Sequence, residues 1–149
     1  MSIKPLNKSI ILKIMQMFEQ KNLQGLLEWC DENCVIIDPH YPYSRMEGKE
    51  AIRRGMAWAF RTLKRSAFEV HRIWIDGPES TIYVRTYHQM VGGYQLNVPQ
   101  IFYVCWNGKK ITRIESFLPY RPGGIPGIIV RWYALLWRCM DKTKLFFKG

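Results

Sequence analysis

The repeat of apolar residues changes once along this chain, and that change limits the fold more than any other feature. In the first 64 residues apolar side chains recur every three or four positions; from Ala67 they recur every two. The first period belongs to helices buried along one stripe, the second to strands buried on one face. The second half is punctuated by Asp76-Gly77-Pro78, Gly92-Gly93 and Asn107-Gly108, the last a strong hairpin signal. Four strands are therefore expected, over 68–75, 81–91, 96–106 and 110–118, joined by short turns into an antiparallel meander. Helices first and a curved antiparallel sheet second make an α+β arrangement.

Asn7 or Ser9 can cap a first helix, in which Ile10, Ile11, Ile14, Met15 and Phe18 share a face and which should end near Lys21-Asn22. A short helix over 23–30 and a strand over 34–38 follow. Pro39 and Pro42 keep helix out of the next loop. A third helix over 49–64 places Ile52, Met56, Ala59, Phe60 and Leu63 on one stripe. Arg53, Arg54, Arg61, Lys64 and Arg65 then form a solvated basic face. Further on, the composition of Arg121-Pro122-Gly123-Gly124-Ile125-Pro126-Gly127 is that of a linker, dividing the chain into a domain over 1–120 and a tail over 121–149.

Within the tail, 128–140 reads as a helix that is apolar almost all round, too short for a bilayer span of about 20 residues. Six basic residues oppose Asp141 after residue 120, a net charge of +5. Three arrangements suit such a segment. It closes the domain as an extra C-terminal helix, it is exchanged with a partner subunit, or it makes a peripheral membrane contact through 128–149. In the last case Arg131, Arg138, Lys142, Lys144 and Lys148 reach lipid phosphates.

The 149 residues suffice for one domain with a sizeable core, and the net charge of +10 permits an acidic partner. No recognised nucleic-acid-binding signature accompanies that charge, so no specific nucleic acid is expected. Cys30, Cys34, Cys105 and Cys139 form no C-x-x-C pair and the three histidines are scattered, which excludes a familiar metal-site pattern. The first six residues lack the apolar core of a signal peptide, so a reducing, cytoplasmic location is expected.

Val35-Ile36-Ile37-Asp38-Pro39-His40-Tyr41-Pro42-Tyr43 is the stretch that carries chemistry. An apolar strand end has no structural need for a carboxylate, and a carboxylate at the edge of an apolar pocket is partly desolvated, which moves it toward a useful general base. A turn-capping aspartate is the plainer alternative. Alternation puts Ile82, Val84, Thr86, His88 and Met90 on one face, so His88 lies deep in an apolar stripe. Such a histidine is either a hydrogen-bonded core residue or, with Asp38, half of an acid/base pair of separated pKa values. Tyr41, Tyr43, Tyr87 and Tyr103, with Trp58 and Phe18, are the candidates to line the pocket and hold a substrate. His40, after a proline, reads as rim.

The order of these elements resembles the nuclear transport factor two-like fold, in particular its SnoaL-like branch. The resemblance rests on Asn22-Leu23-Gln24-Gly25-Leu26-Leu27 before Asp31-Glu32-Asn33-Cys34-Val35, then Ile37-Asp38-Pro39 and Glu47-Gly48-Lys49-Glu50-Ala51-Ile52-Arg53. It ends on the strand Asn107-Gly108-Lys109-Lys110-Ile111-Thr112-Arg113-Ile114-Glu115-Ser116-Phe117. It implies a cone-shaped sheet wrapped around the N-terminal helices, an apolar pocket, a homodimer and, in enzymatic members, cofactor-free isomerisation, cyclisation or dehydration of a hydrophobic metabolite. Members without catalysis imply a ligand-binding or dimerisation module instead. Asp38 resembles the catalytic carboxylate of the ketosteroid isomerases, and His71 a catalytic histidine of the scytalone dehydratases. The isomerase oxyanion donors would fall near Ile14 or Met15 and near Ile101 or Phe102, none of which can donate. Glu115 should point outward if Ile114 and Ser116 point inward.

Overall fold

The computed structural model describes residues 6–118 and the helix 124–146, except for the side chains of 124–127, 130 and 141–146. The N-terminal stretch 1–5, the first part of the expected linker, 121–123, and Lys148 lie outside the described residues. The chain opens with α1 (Lys8–Glu19), α2 (Leu23–Trp29), β1 (Cys30–Ile37), β2 (Arg45–Glu47) and α3 (Gly48–Thr62). It continues with β3 (Leu63–Asp76), β4 (Glu79–Met90), β5 (Gln95–Trp106), β6 (Ile111–Phe117) and α4 (Gly124–Phe146).

Side-chain caps set the first two helices. Asn7 Oδ1 accepts from the Ile10 amide at 3.0 Å, and Asn22 Oδ1 from the Gly25 amide at 2.9 Å. Between them Lys21 adopts a left-handed conformation, φ 56°. Its ammonium donates to Phe60 O at 3.0 Å and Leu63 O at 2.5 Å, covering carbonyls that the end of α3 leaves open. The α1–α2 hairpin is thereby fastened to the α3–β3 junction. Glu19 Oε1 adds a second tie by accepting from the Phe68 amide at 2.7 Å.

The sheet runs β2-β1-β6-β5-β4-β3. The expected antiparallel meander is present as β3 to β6. β1 joins it alongside β6 in parallel, with Ile36 opposite Ile114, so the sheet as a whole is mixed. It curves without closing: β2 and β3 are its two edges. Register shifts at Leu63/Arg65 and Val70/Arg72 in β3 and at Ile111/Arg113 in β6, opposite Cys105/Trp106, are the bulges that bend it. The Asn107-Gly108 turn is built as its residues require. Gly108 has φ 88°, and Asn107 Oδ1 accepts from the Lys109 and Lys110 amides at 3.1 and 2.9 Å.

Helices fill the concave side. Ile11 and Met15 of α1, Leu26 and Leu27 of α2 and Ile52 and Met56 of α3 meet Ile36, Ile82, Val84, Val104 and Ile111 of the sheet in one core. Ile52 is 1% exposed, and truncating such a residue to alanine costs about 2–5 kcal/mol. Gly55 allows α3 this approach, since a Cβ there would lie 2.1 Å from Met46 Sδ and 3.4 Å from the Tyr41 ring.

Several boundaries depart from the periodicity. β1 starts four residues early, at Cys30, and β3 starts at Leu63, directly after α3, so Lys64 and Arg65 belong to a strand rather than to the helix. They and Arg53, Arg54 and Arg61 are exposed, as a solvated basic face requires. α4 begins at Gly124 rather than at 128, because Pro126 sits in the first turn, where its missing N–H has no partner to lose.

Candidate active site

β1 ends at Ile37, and Asp38 opens a tight loop. The Asp38 amide donates to Ser44 O at 2.8 Å, closing 38–44 on itself, and Pro42 is fully buried. Asp38 is 8% exposed. Its Oδ1 accepts from the His40 amide at 2.9 Å and lies 3.1 Å from His40 Nδ1. The first contact is an Asx turn; the second pairs the carboxylate with the imidazole and puts the Nδ1 proton toward it. The turn-capping expectation for Asp38 is met, and His40 is its partner rather than bare rim.

Tyr41 follows, half-buried against Trp58 with ring centroids 5.9 Å apart. Burial, and then the charge of Asp38, push its phenol well above the usual range, so it remains a donor. That donor rests on Met56 Sδ at 3.4 Å, a weak acceptor.

His88 comes from β4, where Ile82, Val84 and Thr86 precede it on the inner face and are buried. Its ring packs 5.7 Å from Phe68 and 6.3 Å from Phe18 between centroids. Burial, then the neighbouring charge of His40, lower its pKa to about 4; a hydrogen bond to Tyr87 O and the charge of Asp38 oppose the shift. His88 is therefore a neutral imidazole within electrostatic reach of the Asp38–His40 pair. Nδ1 lies 2.7 Å from Ser66 Oγ and 3.1 Å from Tyr87 O. If Ser66 donates to Nδ1, the proton sits on Nε2; if Nδ1–H donates to Tyr87 O, Nε2 is an acceptor. Both of these contacts fall on Nδ1.

A buried polar row crosses the same face. Thr86 Oγ1 donates to Gln100 Oε1 at 2.6 Å, and Gln100 Nε2 donates to Ser116 Oγ at 2.6 Å. One side chain from each of β4, β5 and β6 takes part, all at 6% exposure or less. Glu115, one residue before Ser116, faces the opposite side and binds Arg113 at 2.7 Å.

The remaining expected site residues separate by face. Phe18 and Trp58 lie with the inner group. His71 falls at the β3 bulge, and alternation from Phe68 and Val70 already puts it on the outer face with Glu69. There it packs against Tyr83 at 5.2 Å and lies 4.0 Å from Glu69. Tyr87 is 37% exposed and donates to Glu69 Oε2 at 2.9 Å, as its odd position beside His88 dictates. Tyr103 alternates outward from Phe102 and Val104, next to Cys105 and Glu79, which raise its pKa. Tyr43 is 41% exposed beneath the Arg138 guanidinium, 5.5 Å from its ring. These four do not converge on the interior.

Sequence reasoning read His40 as rim and passed over Ser66. The Asp-Pro-His spacing could have pointed to His40, because an Asx turn brings residue i+2 back to the carboxylate. Among the described residues no group of three or more His, Cys, Asp or Glu side chains is placed to hold a metal ion. A recess of about 550 Å³ on α1, lined by Lys8, Ser9, Leu12, Lys13 and Gln16, shares no residue with the Asp38–His88 cluster.

The SnoaL-like domain family matches residues 11–114, most of the chain. No curated protein matches the sequence. Among solved structures the fold is similar to a hypothetical protein with a ketosteroid isomerase-like fold from Catenulispora acidiphila, in complex with trimethylamine. The TM-score is 0.69 at 16% identity, over 78% of this chain and 89% of that one. A candidate SnoaL-like polyketide cyclase from Shewanella putrefaciens gives 0.67 at 10% identity, over 76% and 89%. TerC, co-crystallised with polyporic acid, gives 0.64 at 14% identity, over 74% and 88%. At such identities the likeness carries the fold.

Proposed function

The chain belongs to the SnoaL-like domain family, and on that premise we propose that it is a small, cofactor-independent enzyme that moves protons within a hydrophobic, oxygen-bearing metabolite. Isomerisation, cyclisation or dehydration of a polyketide, terpenoid or steroid-like molecule fits this description. One observation supports the reading above the others: a buried Asp38 paired with half-buried His40, and a half-buried neutral His88, sit within reach of one another's charge.

In this reading Asp38 holds the Nδ1 proton of His40, and the pair takes a proton from the substrate. His40 then returns that proton at the new position, while His88, neutral at pH 7, donates or accepts a hydrogen bond at the substrate through Nε2 according to its tautomer. Tyr41, whose phenol has only a thioether to bond, turns its donor to the substrate oxygen where negative charge develops. Phe18 and Trp58 supply apolar wall.

A non-catalytic ligand-binding module of the same fold is the second reading. It is favoured by the buried Met15 and half-buried Phe102, which occupy inner positions where an isomerase would need donors.

Polyporic acid and a panel of hydroxylated aromatic polyketides are the first probes, followed by mass spectrometry for isomerised or dehydrated products. Turnover is expected, with kcat lowered about 10²–10⁴-fold in Asp38→Asn and in His88→Ala. Full turnover in both variants would sink the assignment. Tight binding without turnover, unchanged by either substitution, would favour the module.

A further inference from the structure

The described contacts of α4 with the body of the protein lie along one side. Trp137 lies under the Arg61 guanidinium, 4.4 Å from the ring centroid. Arg138 donates from Nε to Pro42 O at 2.7 Å and from Nη2 to the same oxygen. Ala134, one turn earlier, is half-buried. On the opposite side Ile128, Ile129, Trp132, Tyr133, Leu135 and Leu136 are each 49–60% exposed. At about 100° per residue these six fall on one continuous arc of roughly 160°. Exposed Arg131 and Arg138 stand at one border of the arc. A contiguous apolar arc of this kind marks a surface with a partner.

The charge selects among partners. After residue 120 the chain carries a net +5, with Lys142, Lys144 and Lys148 following the arc against Asp141 alone. Two copies of α4 laid together would bring like charges into one interface, whereas an anionic surface answers the apolar and the basic features at once. Tryptophan and tyrosine on the arc suit the boundary between headgroups and acyl chains. No helix among the described residues is long and apolar enough to cross a membrane, so α4 would lie in the plane of the interface.

We propose that α4 docks the protein on an anionic lipid bilayer, its exposed arc seated at the acyl boundary and its basic residues among the headgroups. Arg138 ties the helix to the loop that carries Asp38, so a docked helix holds that loop at the bilayer surface, where hydrophobic molecules concentrate. The docking itself does not depend on the function proposed above.

Flotation of the full chain with phosphatidylcholine vesicles, with and without phosphatidylserine, tests it. Phosphatidylserine is expected to raise the bound fraction at least about tenfold, and added salt to reverse the gain. Trp132→Glu with Leu136→Glu should abolish flotation while leaving the far-ultraviolet circular dichroism unchanged. The milder Arg131→Glu should weaken it several-fold. Equal flotation with both vesicles, flotation with neither, or flotation unchanged by these substitutions overturns the proposal. So does a concentration-dependent dimer, seen by light scattering without vesicle binding, that the same paired substitution dissolves.

Discussion

An imidazole packed between two phenylalanines keeps its proton off down to unusual acidity, and that preference is measurable as stability. His88 titrates at about 4 in the folded protein, against 6.5 when unperturbed. Between these values the unfolded chain binds a proton that the folded chain refuses, so stability falls as pH drops from 6.5 toward 4 and rises again with pH. The integrated effect is on the order of 3 kcal/mol. Urea unfolding across that range should show the acid loss in the parent protein and a flatter profile in His88→Gln. Parallel profiles would mean that His88 is not held neutral. Of the residues that matter here, Asp38 and His88 were legible because each breaks a local pattern: an acid at the end of an apolar strand, a histidine in an apolar stripe. His40 was not, since its role comes from a turn that brings Nδ1 to within 3.1 Å of Asp38, and hydropathy does not encode turns. His71 misled for a related reason. Its place was read from distance along the chain, whereas alternation from Phe68 and Val70 puts it on the outer face.

At the scale of elements, the Thr86–Gln100–Ser116 row fixes how β4, β5 and β6 lie against one another, because each hydroxyl has one partner that a shift of one residue would remove. Gln100→Leu keeps a similar size but strands two buried hydroxyls, and should destabilise by roughly 2–4 kcal/mol. Adding Thr86→Val and Ser116→Ala removes the stranded groups and should recover more than half of that loss. A denaturant series through the single, double and triple variants reads the coupling; strictly additive losses would show that the row is not a unit. The meander was plain in the sequence, since alternation and the Asn107-Gly108 turn agree. The β1–β6 pairing was not, because a parallel neighbour leaves no turn between the two strands to announce it. β2 is three residues long with one buried side chain, Met46, too short for any period. The early part of β1 hid behind its exposed Glu32 and Asn33 and an irregular register.

For the whole molecule, the question is whether α4 belongs to the folding unit. The described buried core runs from Leu6 to Ile111, the residues packed against it end at Ile114, and α4 contributes to neither. The described polar contacts that α4 gives the body include the pair of hydrogen bonds from Arg138 to Pro42 O and the stacking of Arg61 on Trp137. Partly exposed contacts of these kinds amount to about 2 kcal/mol together. A helix lost from the core would remove several times as much, since each buried leucine or isoleucine is worth about 1.5–3 kcal/mol. A chain ending at residue 118 is therefore expected to fold cooperatively, with a Tm lower by only about 5–10 °C, and to be more soluble for want of the exposed arc. Its loop 39–43, released from Arg138, should exchange amide hydrogen faster while the strands keep their protection. Calorimetry and hydrogen exchange on the two chains decide the point. A shortened chain without a cooperative transition would make α4 part of the core in solution, and would mean that the arc left open in the single chain is closed there by more protein.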